Sequence, residues 1–200
     1  MTGNTADGQN QPGDDASLSN NYIVSLCEDE QGFIWVGTMT GGLNRFDKRT
    51  ESFLVFGHTD SLHPTSENTI WAVIADGKGC IWSGTSFGLS KYEKSTGKHT
   101  RYLHNKADEK SIITDMVVSL LIDHQGRLWI GTVEGLCLLD NSSGRFTRFL
   151  NPEESRMPGS NLVWSVSETL DGKIITGTNN GVFSLDPATG IFTPILGKSN

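Results

Sequence analysis

Four copies of one short pattern divide this chain into nearly equal lengths, and no other feature constrains its fold as much. The first copy reads Asp29-Glu30-Gln31-Gly32-Phe33-Ile34-Trp35-Val36-Gly37-Thr38. It recurs as Asp76 to Thr85, as Asp123 to Thr132 and, in altered form, as Thr169 to Thr178. The Gly-Thr pairs begin at Gly37, Gly84, Gly131 and Gly177, giving steps of 47, 47 and 46 residues. A period of this size with short strands marks an array or propeller, in which each copy is one supersecondary unit that must stack on its neighbours to bury its apolar faces.

Aligned on the turn glycines Gly32, Gly79, Gly126 and Gly172, each copy reads as four strands. An apolar run comes first (Ile23-Val24-Ser25-Leu26, Ile70-Trp71-Ala72-Val73, Val117-Val118-Ser119-Leu120, Val163-Trp164-Ser165-Val166). Lacking a polar face, it is expected to be covered on both sides. Asp-x-x-Gly then reverses the chain, with Asp bonding the turn backbone and Gly in the left-handed conformation. The strand carrying Trp follows, then a third strand starting near Gly42, Gly88, Gly135 and Gly181. The fourth alternates polar and apolar residues, as a half-solvated edge strand does. The expected fold is all-β: a β-propeller of four four-stranded antiparallel blades, at residues 18–56, 68–102, 115–149 and 161–196, forming part of a larger propeller of the seven-bladed type. Residues 1–17 read as an inter-blade loop or a disordered tail, because Ser17 to Asn21 matches Ser111 to Asp115 in position. On this reading the chain is an internal piece of a longer protein, with an apolar face exposed at each end.

Composition excludes several function classes. The net charge is −7 with no basic cluster, so a nucleic-acid footprint is absent. No apolar run is long enough to span a membrane, and the polar segment Met1 to Ala16 is no secretory signal. Cys27, Cys80 and Cys137 have no metal-ligand spacing and fall in expected strands, where buried inert thiols are common. His58, His63, His99, His104 and His124 have no zinc spacing. No nucleophile elbow or phosphate loop occurs. Asp29, Asp76 and Asp123 share one turn role, whereas an acid/base pair needs two distinct environments. No catalytic residue, cofactor or metal is expected.

With Asp-x-x-Gly, Ile34-Trp35-Val36-Gly37-Thr38, Gly41-Gly42-Leu43-Asn44-Arg45-Phe46-Asp47 and a trailing Thr-Gly in place, the chain resembles the two-component regulator propeller repeat over residues 18 to about 195. The resemblance implies a module of the extracytoplasmic, periplasmic sensor of a hybrid histidine kinase, of the kind abundant in gut Bacteroidetes. It also implies a small-molecule or oligosaccharide ligand, further propeller blades or a second copy as partners, and a kinase domain in the parent protein. A propeller lyase or hydrolase and a protein-binding scaffold are the alternatives. The fourth copy departs from the pattern, with Thr169 for Asp and Ile175 for Trp.

Candidate ligand-binding residues lie at the start of the first strand of each copy. Asn21, Asn68, Asp115 and Asn161 form a polar column, with Tyr22 beside it. They are either turn caps or a ring of groups around a central channel. Trp71 and Trp164 either pack in the core or reach the channel mouth. Trp35, Trp82 and Trp129, with Gly37, Gly84, Gly131 and Gly177, are expected to be structural and to fill the seams between blades.

Overall fold

The computed structural model describes residues 8–56, 69–156 and 158–195, which form four antiparallel sheets of four strands each. Their hydrogen-bonded order follows the sequence. The first holds β1 (Ile23–Glu28), β2 (Ile34–Thr38), β3 (Leu43–Asp47) and β4 (Ser52–Phe56). The second holds β5 (Ile70–Ala75), β6 (Cys80–Thr85), β7 (Gly88–Glu93) and β8 (Lys98–Tyr102). The third holds β9 (Val117–Ile122), β10 (Leu128–Thr132), β11 (Leu136–Asp140) and β12 (Arg145–Phe149). The fourth holds β13 (Val163–Glu168), β14 (Ile174–Thr178), β15 (Gly181–Asp186) and β16 (Ile191–Pro194). These are the blades of an all-β propeller architecture. The chain divides into two compact units, Met1–Ser86 with Ser90–Thr100, and Phe87–Leu89 with Arg101–Asn200.

Within each unit two blades meet face to face. In the first, Trp35 and Leu43 of one blade pack on Ile70, Val73 and Ile81 of the next, with Phe56 and Tyr92 at the margin. The ring centroids of Trp35 lie 5.0 Å from Phe56 and 5.9 Å from Tyr92, distances at which tilted aromatic pairs attract. In the second unit Trp129 and Leu136 meet Val163, Ile174 and Leu185. Trp35 and Trp129 are fully buried, and Trp82 is 2% exposed.

The Asp and the Trp of the repeat are physically coupled. Asp29 Oδ1 accepts the backbone N–H groups of Gln31 and Phe33, closing the turn, while Oδ2 accepts the indole N–H of Trp35 at 2.9 Å. Asp123 does the same with Gln125, Arg127 and the Trp129 indole. A buried indole N–H needs an acceptor, and a carboxylate six residues earlier supplies one from the turn. In the fourth blade the pair is lost together. Thr169 Oγ1 still accepts the Lys173 N–H of the turn, but it has no second oxygen for an indole, and Ile175 stands where Trp would.

The Gly-Thr pair has a mechanical basis as well. The hydroxyls of Thr38, Thr132 and Thr178 donate to Gly42 O, Gly135 O and Gly181 O, pinning the second hairpin of their blades. Gly37 and Gly131 sit where blades approach closely. A Cβ on Gly37 would lie 2.6 Å from Ile70 Cγ2, and one on Gly131 would lie 2.8 Å from the Val163 carbonyl.

Residues 10–21 adopt the same hydrogen bonding as the inter-blade loop at 104–115. Ser17 Oγ donates to the carbonyls of Gln11 and Asp14, as Ser111 Oγ does to those of Asn105 and Asp108. Phe53 N–H donates to Ala16 O just as Phe146 N–H donates to Lys110 O. The described part of this segment is thus tied to the outer strand of its own blade by the same bonds as residues 104–115. The loop at Gly57 to Glu67 lies outside the described residues.

One expectation needs correction. The first strands are not all covered on both faces. β5 and β9 are largely covered, but in β1 Ile23 is 39% and Leu26 62% exposed, and in β13 Ser165 and Ser167 are exposed. The counterparts of Ile23 in the other blades, Ile70, Val117 and Val163, are at most 2% exposed. An apolar run encodes the capacity to be covered, whereas the neighbour supplies the cover.

Candidate functional site

The start of each first strand is built on a β-bulge. Pairing of β1 with β2 skips between Ile23 and Ser25, β5 with β6 between Ile70 and Ala72, and β13 with β14 between Val163 and Ser165. The β9–β10 register shifts at the matching place. The extra residue in the four blades is Val24, Trp71, Val118 or Trp164. A bulge re-aims the side chain it carries. Ile70 and Val73 accordingly face the same seam although an odd number of bonds separates them, while Trp71 is turned away from it.

Both bulged tryptophans are held by the same device. The Trp71 indole N–H donates to Ser86 Oγ at 2.9 Å, and the Trp164 indole N–H donates to Asn179 Oδ1 at 2.7 Å. Ser86 and Asn179 both directly follow the Thr of Gly-Thr, so the two pairs are equivalent. The blades of Val24 and Val118 carry Met39 and Val133 at those positions instead. Trp164 is 46% exposed and Trp71 half-buried. Core packing therefore does not describe Trp164: the bulge lifts it out of the sheet, and its polar end is tethered to the neighbouring turn. Sequence reading singled out the indoles but missed Ser86 and Asn179. The signal was present, since a polar residue follows Gly-Thr in the two copies whose first strand contains Trp.

The polar column has a common geometry of its own. Asn21 Oδ1 accepts the N–H of Asn10, Asp115 Oδ1 that of His104 and Asn161 Oδ1 that of Asn151, each at 2.6 Å. Each side-chain oxygen thus fastens the beginning of the loop that leads into its own strand. These are the bonds of a loop cap. Asn68 lies outside the described residues. Tyr22, beside the column, is 66% exposed, and its N–H is held by Asn20 Oδ1.

Several cysteines and histidines are held in packing or hydrogen bonds. Burial pushes the Cys27 thiol up to about 11 and that of Cys137 up to about 12, and it raises Cys80 as well; such thiols stay protonated and unreactive near neutral pH. Burial lowers the pKa of His99, which stacks on Tyr92 at 4.7 Å. His104 Nδ1 bonds to Ile112 O, and His124 bonds to Glu168. His58 and His63 lie outside the described residues. No cluster of His, Cys, Asp and Glu among the described residues has the arrangement of a metal centre, and none of their helices is long and apolar enough to cross a membrane.

Comparison with known proteins agrees with this architecture. Residues 17–40 and 111–134 match the two-component regulator propeller family. None of the curated proteins compared matches the chain. Among solved structures, it is 30% identical to the extracellular domain of a hybrid two-component system from B. thetaiotaomicron, with a TM-score of 0.74 over 90% of this chain and 25% of that one. A second such domain from B. thetaiotaomicron is 25% identical, with a TM-score of 0.67 over 84% of this chain and 22% of that one. The chain thus spans about a quarter of the length of these domains. Virginiamycin B lyase from Staphylococcus aureus shares the fold at 13% identity and a TM-score of 0.67, over 92% of this chain and 59% of that one. The two matched stretches fall in the first and third copies of the repeat.

Proposed function

We propose, from the premise that the chain is built of two-component regulator propeller repeats, that it is a ligand-binding module in the extracytoplasmic, periplasmic sensor of a two-component system. It binds and does not cleave. The ligand class is an oligosaccharide, and binding is relayed to a histidine kinase elsewhere in the parent protein. The observation that supports a ligand role is the pair of tethered indoles, Trp71 on Ser86 and Trp164 on Asn179. A ring whose N–H is already satisfied and whose rotamer is fixed offers an apolar face at low entropic cost. Such a face suits the C–H surface of a sugar ring, whose hydroxyls remain free to bond nearby amides. The amide nitrogens of Asn21 and Asn161 are on hand for that, since their oxygens hold the loops. Relay requires a ligand that distinguishes two arrangements of the parent receptor.

The test is a glycan array followed by calorimetry with each hit. Trp164→Ala or Trp71→Ala should weaken binding at least ten-fold at the unit that carries the substituted indole, while leaving the melting temperature nearly unchanged. Binding that survives both substitutions would remove the indoles from the site. Cleavage of any glycan by the purified chain would overturn the non-catalytic reading.

A further inference from the structure

The loop that enters the fourth blade is fastened by a different group from the others. In residues 10–21 and 104–115 a serine hydroxyl does it, Ser17 on the carbonyls of Gln11 and Asp14 and Ser111 on those of Asn105 and Asp108. Both serines stand four residues before the residue of the polar column, Asn21 or Asp115, and the sequence has Met157 at that place before Asn161. A thioether has no proton to donate and accepts only weakly. Glu154, on the short 3-10 helix Pro152–Ser155, fastens this loop instead. Its Oε1 accepts the N–H of Gly159 at 2.7 Å, and its Oε2 accepts that of Asn161 at 2.6 Å. Short bonds to an ionised acceptor are the strong ones, so one carboxylate fixes two points of the backbone just before β13.

Those points back the tethered indole of the same blade. Asn179, whose Oδ1 holds the Trp164 N–H at 2.7 Å, lies against Gly159: a Cβ added to Gly159 would stand 3.0 Å from Asn179 Cβ and 3.9 Å from its Nδ2. Beside it, Asn180 Nδ2 donates to Pro158 O at 3.4 Å. Both residues of the turn between β14 and β15 thus rest on the loop, and the loop rests on Glu154. All of these residues belong to one compact unit, whereas Trp71 and Ser86 belong to the other.

We infer that Glu154 is the positioning residue of the Trp164 site: by fixing Gly159 it fixes Asn179, and through Asn179 the orientation of the indole. Gly159 is held at a φ of 93°, and a glycine released from its bond has many other conformations open to it. Without the carboxylate, Asn179 loses its stop and the indole its single orientation. A ring that must be ordered at the moment of binding binds less tightly. That consequence rests on the proposed sensing role; the control of the indole does not.

Near-ultraviolet circular dichroism and acrylamide quenching of the whole chain test the control without a ligand. Glu154→Ala should diminish the indole dichroism and steepen the quenching. Glu154→Gln, whose one carbonyl oxygen keeps one of the two bonds, should fall between Ala and wild type. Both changes should vanish in a Trp164→Phe background and persist in a Trp71→Phe background. For a glycan identified on the array, Glu154→Ala should weaken binding about two- to ten-fold, the weight of one side chain's freedom. Far-ultraviolet circular dichroism checks that the variants fold. A folded Glu154→Ala chain with the wild-type indole spectrum overturns the inference, and so does a spectral change that survives in the Trp164→Phe background. If Glu154→Ala does not fold, a Glu154→Gln chain with wild-type dichroism and quenching overturns it. If the spectra change as expected and no glycan binds, the sensing role falls and the positioning role stands.

Discussion

The two seams perform the same task with different chemistry. In the first, an aromatic cluster of Trp35, Phe56 and Tyr92 is locked by a cation that crosses between blades, Lys94 on Asp29 and Glu30. In the second, Leu185 takes the place of Tyr92, and the cation on the buried carboxylate comes from the same turn, Arg127 on Asp123 at 2.6 Å. Two contacts cross the second seam instead: the buried hydrogen bond that Ser119 Oγ donates to Val163 O at 3.1 Å, and the pair His124–Glu168, whose His124 side chain is 60% exposed. The apolar plug with its carboxylate-held indole is therefore the conserved engineering of this fold within the chain, while the polar latch is variable. Area and shape set the seam, and charge trims it.

The largest loss should come from the indoles. Trp35→Ala and Trp129→Ala should each cost about 3–5 kcal/mol in urea denaturation, the range for emptying a large aromatic site in a core. A cost well below this at Trp129 would mean that its aliphatic surroundings collapse into the cavity, and the two seams would then differ in kind.

The glycines rank next. Adding a methyl group at Gly131 meets the Val163 carbonyl, which cannot turn aside, and at Gly37 it meets Ile70. Gly131→Ala and Gly37→Ala should each destabilise by about 1–3 kcal/mol through overpacking. At Gly177 the nearest atom is the mobile Ser165 hydroxyl, so Gly177→Ala should cost clearly less. Equal costs at all three positions would show that the clash lies within a blade and not in the seam.

Asp29→Asn and Asp123→Asn follow, at about 1–3 kcal/mol, the penalty for leaving buried donors short of an acceptor. An amide has one oxygen, which can serve the turn or the indole but not both. The ionised forms also make these sites sensitive to acid. At Asp29 and Asp123 burial acts to raise the pKa, but hydrogen bonds from the indole, the turn backbone and the Lys94 or Arg127 cation outweigh it and hold each carboxyl below its ordinary value of 3.8. A depressed carboxylate stabilises the fold fully above the unfolded value and loses that contribution as pH falls below it. Melting temperature should therefore drop as pH is lowered beneath about 4, and the drop should shrink in the double Asn variant.

The latches come last. Lys94→Met removes a cation that is 11% exposed and spans two blades, and it should cost more than Arg127→Met, whose side chain is 31% exposed and stays within one turn. Both should cost about 1 kcal/mol or somewhat more, because each leaves a buried carboxylate that the indole and the turn N–H groups still partly satisfy. A reversed order would place the strength of the latch in the turn and not across the seam.

Most of the fold was legible in the sequence because each repeat carries its instructions locally. Asp-x-x-Gly names its own turn, and the period counts the blades. The seam role of Trp35 and Trp129 followed from their recurrence at one strand position. The candidate site was less legible, because what decides it is relational. Nothing in the first strand announces a bulge, so the sequence left Trp71 and Trp164 between the core and the channel mouth. The polar column was visible, but its oxygens fasten loops whose starts lie ten or eleven residues away.

By itself the sequence determined the strand periodicity, the turn chemistry and the coupling of Asp to Trp, which vanish together in the fourth copy, because these are set within a few bonds along the chain. Tertiary structure alone decided which apolar residues are covered. Ile23 and Ile70 read identically, yet one is 39% exposed and the other fully buried. Burial belongs to a pair of surfaces, and a linear repeat specifies only one member of that pair at a time.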